Sequence, residues 1–457
     1  MINSKSTRRM ISKYPFKYEK MASQEFFSKE KASVYIHIPF CVKRCHYCTY
    51  VTKTGSSEAE REEYVCALIN DIENYDKEHI FPEYEIESIY FGGGTPSLLT
   101  DDQIARILAA LRNRFSVTVP LCDLCMEFDP STVTDEKIEI FKKHGFTRLS
   151  IGIQSFDDEV LKVSNRSHSA QTACNAINTI KSHGITNFNI DLIYPLQCQN
   201  MSTWKEDLVK AISMEPAEIT AHVLEVWPGT KIEQMVKEGI YHLPSFEEEI
   251  QMTNEAYDIL ENAGFKRWSN CGYYHPKRSR HYSLFMDYYW RTWPMIGFGV
   301  SAQSVVGKKI WTNTPEIKEY INMVNIGQSP MNVCTTMTTR QEMLRVVIRG
   351  FKACYIDKHD FYNRFGCELR DVFREQFEYL VNKGWVFETK DRYELTREGQ
   401  VFDRDVYTVF YTEDDMTAPQ KKNEVWLGLS LSPEEDKEDF KLPKTTLSGK
   451  KLEGYAK

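Results

Sequence analysis

The run Val34-Tyr-Ile-His-Ile-Pro-Phe-Cys41-Val-Lys-Arg-Cys45-His-Tyr-Cys48 reads as a short apolar strand that empties into a loop with three cysteines. Spacings of three residues and then two put three thiols around one small volume and leave a fourth coordination position open. A tetrahedral zinc site takes a fourth protein ligand close by. A four-iron cluster held by three cysteines keeps one iron free for a small molecule. A chance cluster of structural thiols is the bland reading of the same loop.

Outward from this loop, short apolar runs at 34–38, 86–91, 122–128, 147–153, 188–194 and 217–226 alternate with helical stretches. Ile104, Ile107, Leu108 and Leu111 have the helical spacing. Gly145 and Gly184 stand where helices should stop, and Asp101 can cap the start of one. Six strand–helix units in series predict a parallel sheet with helices outside, curled into a partial (β/α)6 TIM-like barrel. Chemistry in such a barrel gathers at the carboxyl ends of the strands, which is where the cysteine loop falls. The organisation expected is an N-terminal extension (1–30), the barrel (31–240), a barrel-completing or substrate region (241–335), a winged-helix-like α+β module (336–412) and a flexible tail (413–457).

The chain has 457 residues, 42% hydrophobic and 27% charged, which suits a soluble protein with a large core. A formal charge of −8 gives no basic footprint for nucleic acid. No apolar run is long enough to cross a bilayer, so a cytoplasmic protein is expected. The twelve cysteines are then thiols or metal ligands rather than a disulfide framework. Cys122 and Cys125 read as small hydrophobes of a buried strand.

Polar residues at the other strand ends carry the candidate chemistry. Gly92-Gly93-Gly94-Thr95 closes the second strand and offers bare backbone to a ligand. Glu127 and Asp129 end the third, suited to a cationic amine or a ribose hydroxyl, with helix capping the equal alternative for Asp129. Gln154 ends the fourth and needs a partner there. Arg166 suits a two-pronged grip on a carboxylate, and His168 beside it reads as surface. Asp191 ends the fifth.

Together with Asn165-Arg166, Asp191-Leu-Ile-Tyr194 and Gly297-Phe-Gly-Val-Ser-Ala-Gln303, these runs resemble the coproporphyrinogen-dehydrogenase-like branch of radical S-adenosylmethionine enzymes. The resemblance spans residues 30 to 410. It implies that Cys41, Cys45 and Cys48 ligate a [4Fe-4S] cluster. It further implies that Tyr35, Gly93, Gly94, Thr95, Glu127, Gln154, Arg166 and Asp191 line a first S-adenosylmethionine. Tyr47, Gly92, Ile193 and Gln303 fall where the branch binds a second, Tyr47 and Gln303 being the catalytic candidates. A reduced flavodoxin or ferredoxin is the implied electron donor.

Members of the branch differ at a few positions. The porphyrinogen dehydrogenase carries a fourth cysteine where this chain has Tyr50. The haem-chaperone relatives carry a His-Asn pair where it has Phe285-Met286, with His281 displaced. Tyr-Gly-Leu-Pro becomes Tyr194-Pro-Leu-Gln197. By these departures the favoured expectation is methyl or methylene transfer to an sp2 carbon, as C-methylation or cyclopropanation. The alternatives are oxidative decarboxylation of a porphyrinogen and a haem carrier without catalysis. Tyr273, Tyr274, Tyr282, Tyr288, Tyr289, Trp290 and Trp293 would wall a small conjugated or aromatic substrate.

Overall fold

The computed structural model describes residues 31–75, 83–117, 123–279 and 282–411. Cys122, His281, the N-terminal extension and the tail beyond 411 lie outside them. Six parallel strands form in chain order, Lys31–Ile38, Glu85–Gly93, Asp123–Phe128, Arg148–Gln154, Phe188–Tyr194 and Glu218–Val223, each hydrogen-bonded to the next. Side chains alternate across a strand. In the first, Val34, Ile36 and Ile38 are wholly buried against the helices, while Tyr35 and His37 face a cavity inside the barrel.

The sheet is longer than six strands. Gly272–Tyr274 pairs antiparallel with the sixth. At the other edge Met295–Phe298 runs parallel to the first strand and leads into three antiparallel strands, Gln303–Val306, Lys309–Asn313 and Met331–Thr336. The region after the sixth strand therefore borders both open edges of the barrel.

Helix boundaries follow local chemistry. Helix Asp101–Arg114 is capped by Thr100, not Asp101, because Thr100 and Gln103 form a reciprocal capping box. Asp101 sits one residue inside and pairs with Lys143 and His144. Gly145 and Gly184 follow helix ends with φ of +75° and +76°, the left-handed closure that favours glycine.

The C-terminal module has its own core around Leu344, Val347, Phe351, Phe377 and Tyr393. Helices Thr339–Lys352, Lys358–Phe365 and Leu369–Asn382 pack on a small sheet of Tyr355–Asp357, Arg392–Leu395 and Val386–Glu388. Among the described residues no helix is long and apolar enough to cross a membrane.

Candidate active site

The three-cysteine loop is pinned by its neighbours. Asn165 Nδ2 donates to the Arg44 carbonyl at 2.7 Å, and the His46 amide to the Ser164 carbonyl at 3.2 Å. All three cysteines are half-buried. Burial pushes the Cys41 thiol up to about 12 and raises Cys48 as well. Without a bound cation both are therefore neutral thiols, and a bound metal would displace their protons. Among the described residues no three His, Cys, Asp or Glu side chains converge tightly enough to enclose a single metal ion. Three thiols on one loop suit a four-iron cluster that takes one cysteine to an iron and leaves the fourth iron open.

The glycine run seats on this loop. Gly93 has φ of +105°, and a Cβ there would meet the His37 ring at 2.5 Å. A Cβ on Gly94 would meet the Phe40 carbonyl oxygen at 2.7 Å and Cys41 Sγ at 3.0 Å. Gly92 stands one layer back, buried between the Tyr35 and Tyr90 rings and Glu127. Burial lowers His37 to about 4, so it is neutral. Its Nε2 donates to the Val51 carbonyl at 3.1 Å, which leaves Nδ1 to accept from Tyr35 Oη at 3.1 Å.

Arg166 joins the loop to the third and fourth strands. Nη1 donates to Cys45 Sγ at 3.1 Å, and Nη2 to Asp129 Oδ2 at 3.1 Å and to the Gly152 carbonyl at 2.5 Å. The expected two-pronged grip on a carboxylate is not formed within the chain: Nη2 alone meets Asp129, Nη1 turns to Cys45, and Nε has no hydrogen-bond partner. Burial works against ionisation of Asp129, but Arg166, Ser131 and His168 outweigh it and hold its pKa below the usual range. Asp129 also caps the Pro130–Thr132 turn, the capping role expected of it, and its carboxylate is otherwise taken by Arg166 and Ser167. His168 is buried rather than on the surface, because its Nε2 reaches the Ile153 carbonyl at 3.2 Å beneath Asp129.

Gln154 carries a left-handed φ of 72° and is 8% exposed, and its Oε1 has no partner. Such backbone costs roughly 1–3 kcal/mol unless its surroundings hold it. Asp207 does so, accepting from Ser155 Oγ at 2.8 Å and the Phe156 amide at 2.5 Å. Glu127 accepts from Tyr90 Oη at 2.6 Å and the Gly93 amide at 3.1 Å. Burial, with Asp191 adding to it, pushes Glu127 up to about 7. A polar ladder completes the rim, Asn189 Nδ2 donating to Ser150 Oγ at 2.9 Å and to Asp191 Oδ1 at 2.8 Å.

All of these face one cavity of about 1200 Å³. It is lined by Cys41, Cys45, Cys48, Tyr35, Tyr47, Gly93, Gly94, Thr95, Glu127, Gln154, Arg166, Asp191, Ile193 and Gln303, with Gly92 behind. Of the aromatic stretch, Tyr289 and Trp290 reach it, while Phe285 stacks on Tyr90 at 4.5 Å. Tyr273, Tyr274, Tyr282, Tyr288 and Trp293 pack among other rings instead.

Sequence reasoning missed two groups here. His222, at the end of the sixth strand, faces the cavity with Asp191 Oδ1 3.9 Å away and Cys271 hydrogen-bonded to it. Its place at a strand end was a usable signal; Cys271 gave none. Arg267, Arg349, Lys352 and Arg404 also line the cavity. Arg349 and Lys352 break the apolar face of their helix, the one cue the sequence offered.

A model of the radical SAM superfamily matches residues 35–211. The heme chaperone HemW of Bacillus subtilis is 25% identical over 382 residues, covering 83% of this chain and 99% of that protein. The oxygen-independent coproporphyrinogen III oxidase of Salmonella typhimurium is 24% identical over 404 residues, covering 84% and 86%. Among solved structures, coproporphyrinogen III oxidase (HemN) from Escherichia coli superposes with a TM-score of 0.72 at 22% identity, covering 89% of this chain and 97% of that one. The TIM-like fold is therefore shared. These relatives are chaperones and oxidases, and they do not support the expectation of methyl transfer.

Proposed function

The chain is a member of the radical S-adenosylmethionine superfamily, in its coproporphyrinogen-dehydrogenase-like branch, and we propose that it oxidatively decarboxylates propionate side chains of a porphyrinogen-class tetrapyrrole. One observation carries this reading. The cavity that opens at the three thiols has about 1200 Å³, more than the roughly 300–1,000 Å³ of a site for one small molecule. It has room for a cofactor and a large flat second molecule together.

Cys41, Cys45 and Cys48 would hold the [4Fe-4S] cluster. The bound cluster and S-adenosylmethionine supply a hydrogen-abstracting group, with methionine and 5′-deoxyadenosine as products. Glu127 and the amides of Gly93 to Thr95 would hold the cofactor's amine, and Asp191 its ribose. Gln154 Oε1, buried without a partner, offers an acceptor beside them. Tyr35, Tyr90 and Phe285 form a stack that keeps water from the reacting carbon. Loss of a hydrogen atom from the propionate carbon next to the ring, then of carbon dioxide and one electron to a one-electron acceptor, leaves a vinyl group.

A second reading is methylene transfer from a second S-adenosylmethionine, favoured by Tyr47, Ile193 and Gln303 on the same cavity wall. Anaerobic turnover of the reconstituted protein with dithionite, S-adenosylmethionine and coproporphyrinogen separates the readings. Decarboxylation gives carbon dioxide and deoxyadenosine in step, without S-adenosylhomocysteine. Deoxyadenosine with S-adenosylhomocysteine gives the methylene reading. Neither product, with haem bound by an intact protein, gives the carrier.

A further inference from the structure

Tyr50 ends the cysteine loop, two residues after Cys48. It is 55% exposed, whereas the other described aromatic rings that line the cavity are buried or half-buried. A single exposed ring on an outer surface is ordinary. This one stands on a cavity wall, and its hydroxyl is unengaged. Each of the other phenols lining the cavity has a hydrogen-bond partner. Tyr35 pairs with His37 at 3.1 Å, Tyr47 with Arg166 at 3.5 Å, Tyr90 with Glu127 at 2.6 Å, Tyr194 with Thr253 at 3.1 Å and Tyr289 with Arg349. Among the described residues Tyr50 Oη has none.

The side chain is held in place nonetheless. The Tyr50 amide donates to Cys48 Sγ, and the ring centre lies 6.3 Å from that of His37. His37 is itself fixed by the Val51 carbonyl and Tyr35. Besides burial, the groups that act on the Tyr50 phenol are Glu127, Tyr289, Cys48 and Asp191. The hydroxyl is thus near the thiol loop, the carboxylates of the cofactor site and a ring of the far wall. A phenol keeps its proton near neutral pH and offers one donor. A carboxylate is the acceptor that rewards a neutral donor most. A guanidinium in the same place would bind the carboxylate hard and oppose its departure as carbon dioxide, because binding lost in the transition state slows a step. Glu127 and Asp191 repel an incoming carboxylate, so it should enter after the cofactor, whose ammonium and sulfonium offset them.

We propose that Tyr50 is the substrate contact of the cysteine loop: its O–H holds the carboxylate of the arm that reacts, while the flat body lies against Tyr289 and Trp290. The assignment deepens the tetrapyrrole reading and rests on it for the reaction that this arm undergoes.

The test uses the full-length protein with its cluster reconstituted, saturating S-adenosylmethionine, and Tyr50→Phe, which keeps the ring and removes only the hydroxyl. With the cluster left oxidised, coproporphyrin III binding, read by fluorescence, should weaken roughly tenfold in the variant, the scale of one hydrogen bond to a charged group. Binding of the tetramethyl ester in the same detergent buffer should change less. The melt and the calorimetric affinity for S-adenosylmethionine should match the wild type. In turnover with dithionite and coproporphyrinogen III, the variant should make deoxyadenosine in excess of carbon dioxide, because an arm that is not held meets the abstracting group out of line. A weaker affinity for S-adenosylmethionine gives the hydroxyl to the cofactor and overturns the assignment. A lower melt gives it to the fold and does the same. So do unchanged coproporphyrin binding, equal weakening of acid and ester, or products that stay in step. Pyrenebutyrate, a flat acid that is no tetrapyrrole, separates the two proposals. If the wild type binds it but no porphyrin, and Tyr50→Phe weakens it, the tetrapyrrole reading falls and the contact stands. If coproporphyrin binds alike in both proteins, the reading stands and the contact falls. If the wild type binds neither acid, both fall.

Discussion

The two walls of the cavity differ in construction. One gathers three thiols, Glu127, Asp129 and Asp191, with Arg166 joining Cys45 to Asp129. It is made by loops at the ends of the first five strands, fastened to one another by backbone hydrogen bonds. The other brings Arg267, Arg349, Lys352 and Arg404 together with Glu225, Glu249, Asp403 and Asp405 among aromatic rings. It exists only where the C-terminal module docks on the barrel, through the Asn270 amide to the Lys352 carbonyl at 2.8 Å and the Arg404–Glu225 pair. Glu127 and Asp191 on the barrel wall suit a cofactor with a cationic amine and sulfonium. If chemistry belongs to the barrel and substrate choice to this interface, each should be separable from the other by mutation.

The sharpest separation comes from Cys45→Ala. It should abolish deoxyadenosine formation and the visible absorbance of the cluster, since two thiols do not replace three. The thermal melt should be nearly unchanged, because Cys45 is only half-buried. Coproporphyrin binding at the far wall should persist. Its loss in this variant would break the two-wall picture.

That contrast also explains what the sequence made legible. Cys41 to Cys48, Gly92 to Thr95 and Gln154-Ser155-Phe156 are contiguous, because a strand end with its loop builds each corner of the site locally. The six strands were legible for a similar reason, as apolar runs that recur with helices between them. The second wall is assembled from residues 225 to 404 by docking, and no local pattern reports which loop meets which helix. His168 misled for the same reason, since the Ile153 carbonyl that buries it is fifteen residues away.

Arg166→Gln comes next. It leaves Asp129, 13% exposed at its side chain, without its cation and takes a donor from Cys45. Removing one partner of a buried pair costs roughly 3–5 kcal/mol, so the melting temperature should drop clearly. Affinity for S-adenosylmethionine, measured by calorimetry, should drop with it. An unchanged melt would show that Ser131, Ser167 and His168 suffice for Asp129.

Glu127→Gln should act in the opposite sense on the apoprotein. The folded pKa of about 7 lies above the ordinary 4.5, so ionisation opposes folding and stability falls as pH rises through that window. The wild type should lose up to roughly 3 kcal/mol relative to the variant between pH 4.5 and 7, at about 1.4 kcal/mol per pKa unit. The variant should nonetheless bind S-adenosylmethionine roughly tenfold more weakly, through loss of the charge that meets the amine. Parallel pH dependence in both proteins would move the titration to another group.

The smallest effect is expected at His222, on the boundary between the walls. Burial in the barrel works against its charge, but Cys271, then Asp191 and Glu225, outweigh that and raise it from 6.5 to about 9. A histidine raised in the folded state adds stability that is fully present below pH 6.5 and is lost as pH climbs towards 9. Half of the side chain faces the water of the cavity, so solvent screening limits the gain to about 1 kcal/mol or less. His222→Gln should therefore flatten a shallow decline in melting temperature between pH 6.5 and 9. If the decline is as steep in the variant as in the wild type, His222 is neutral at pH 7.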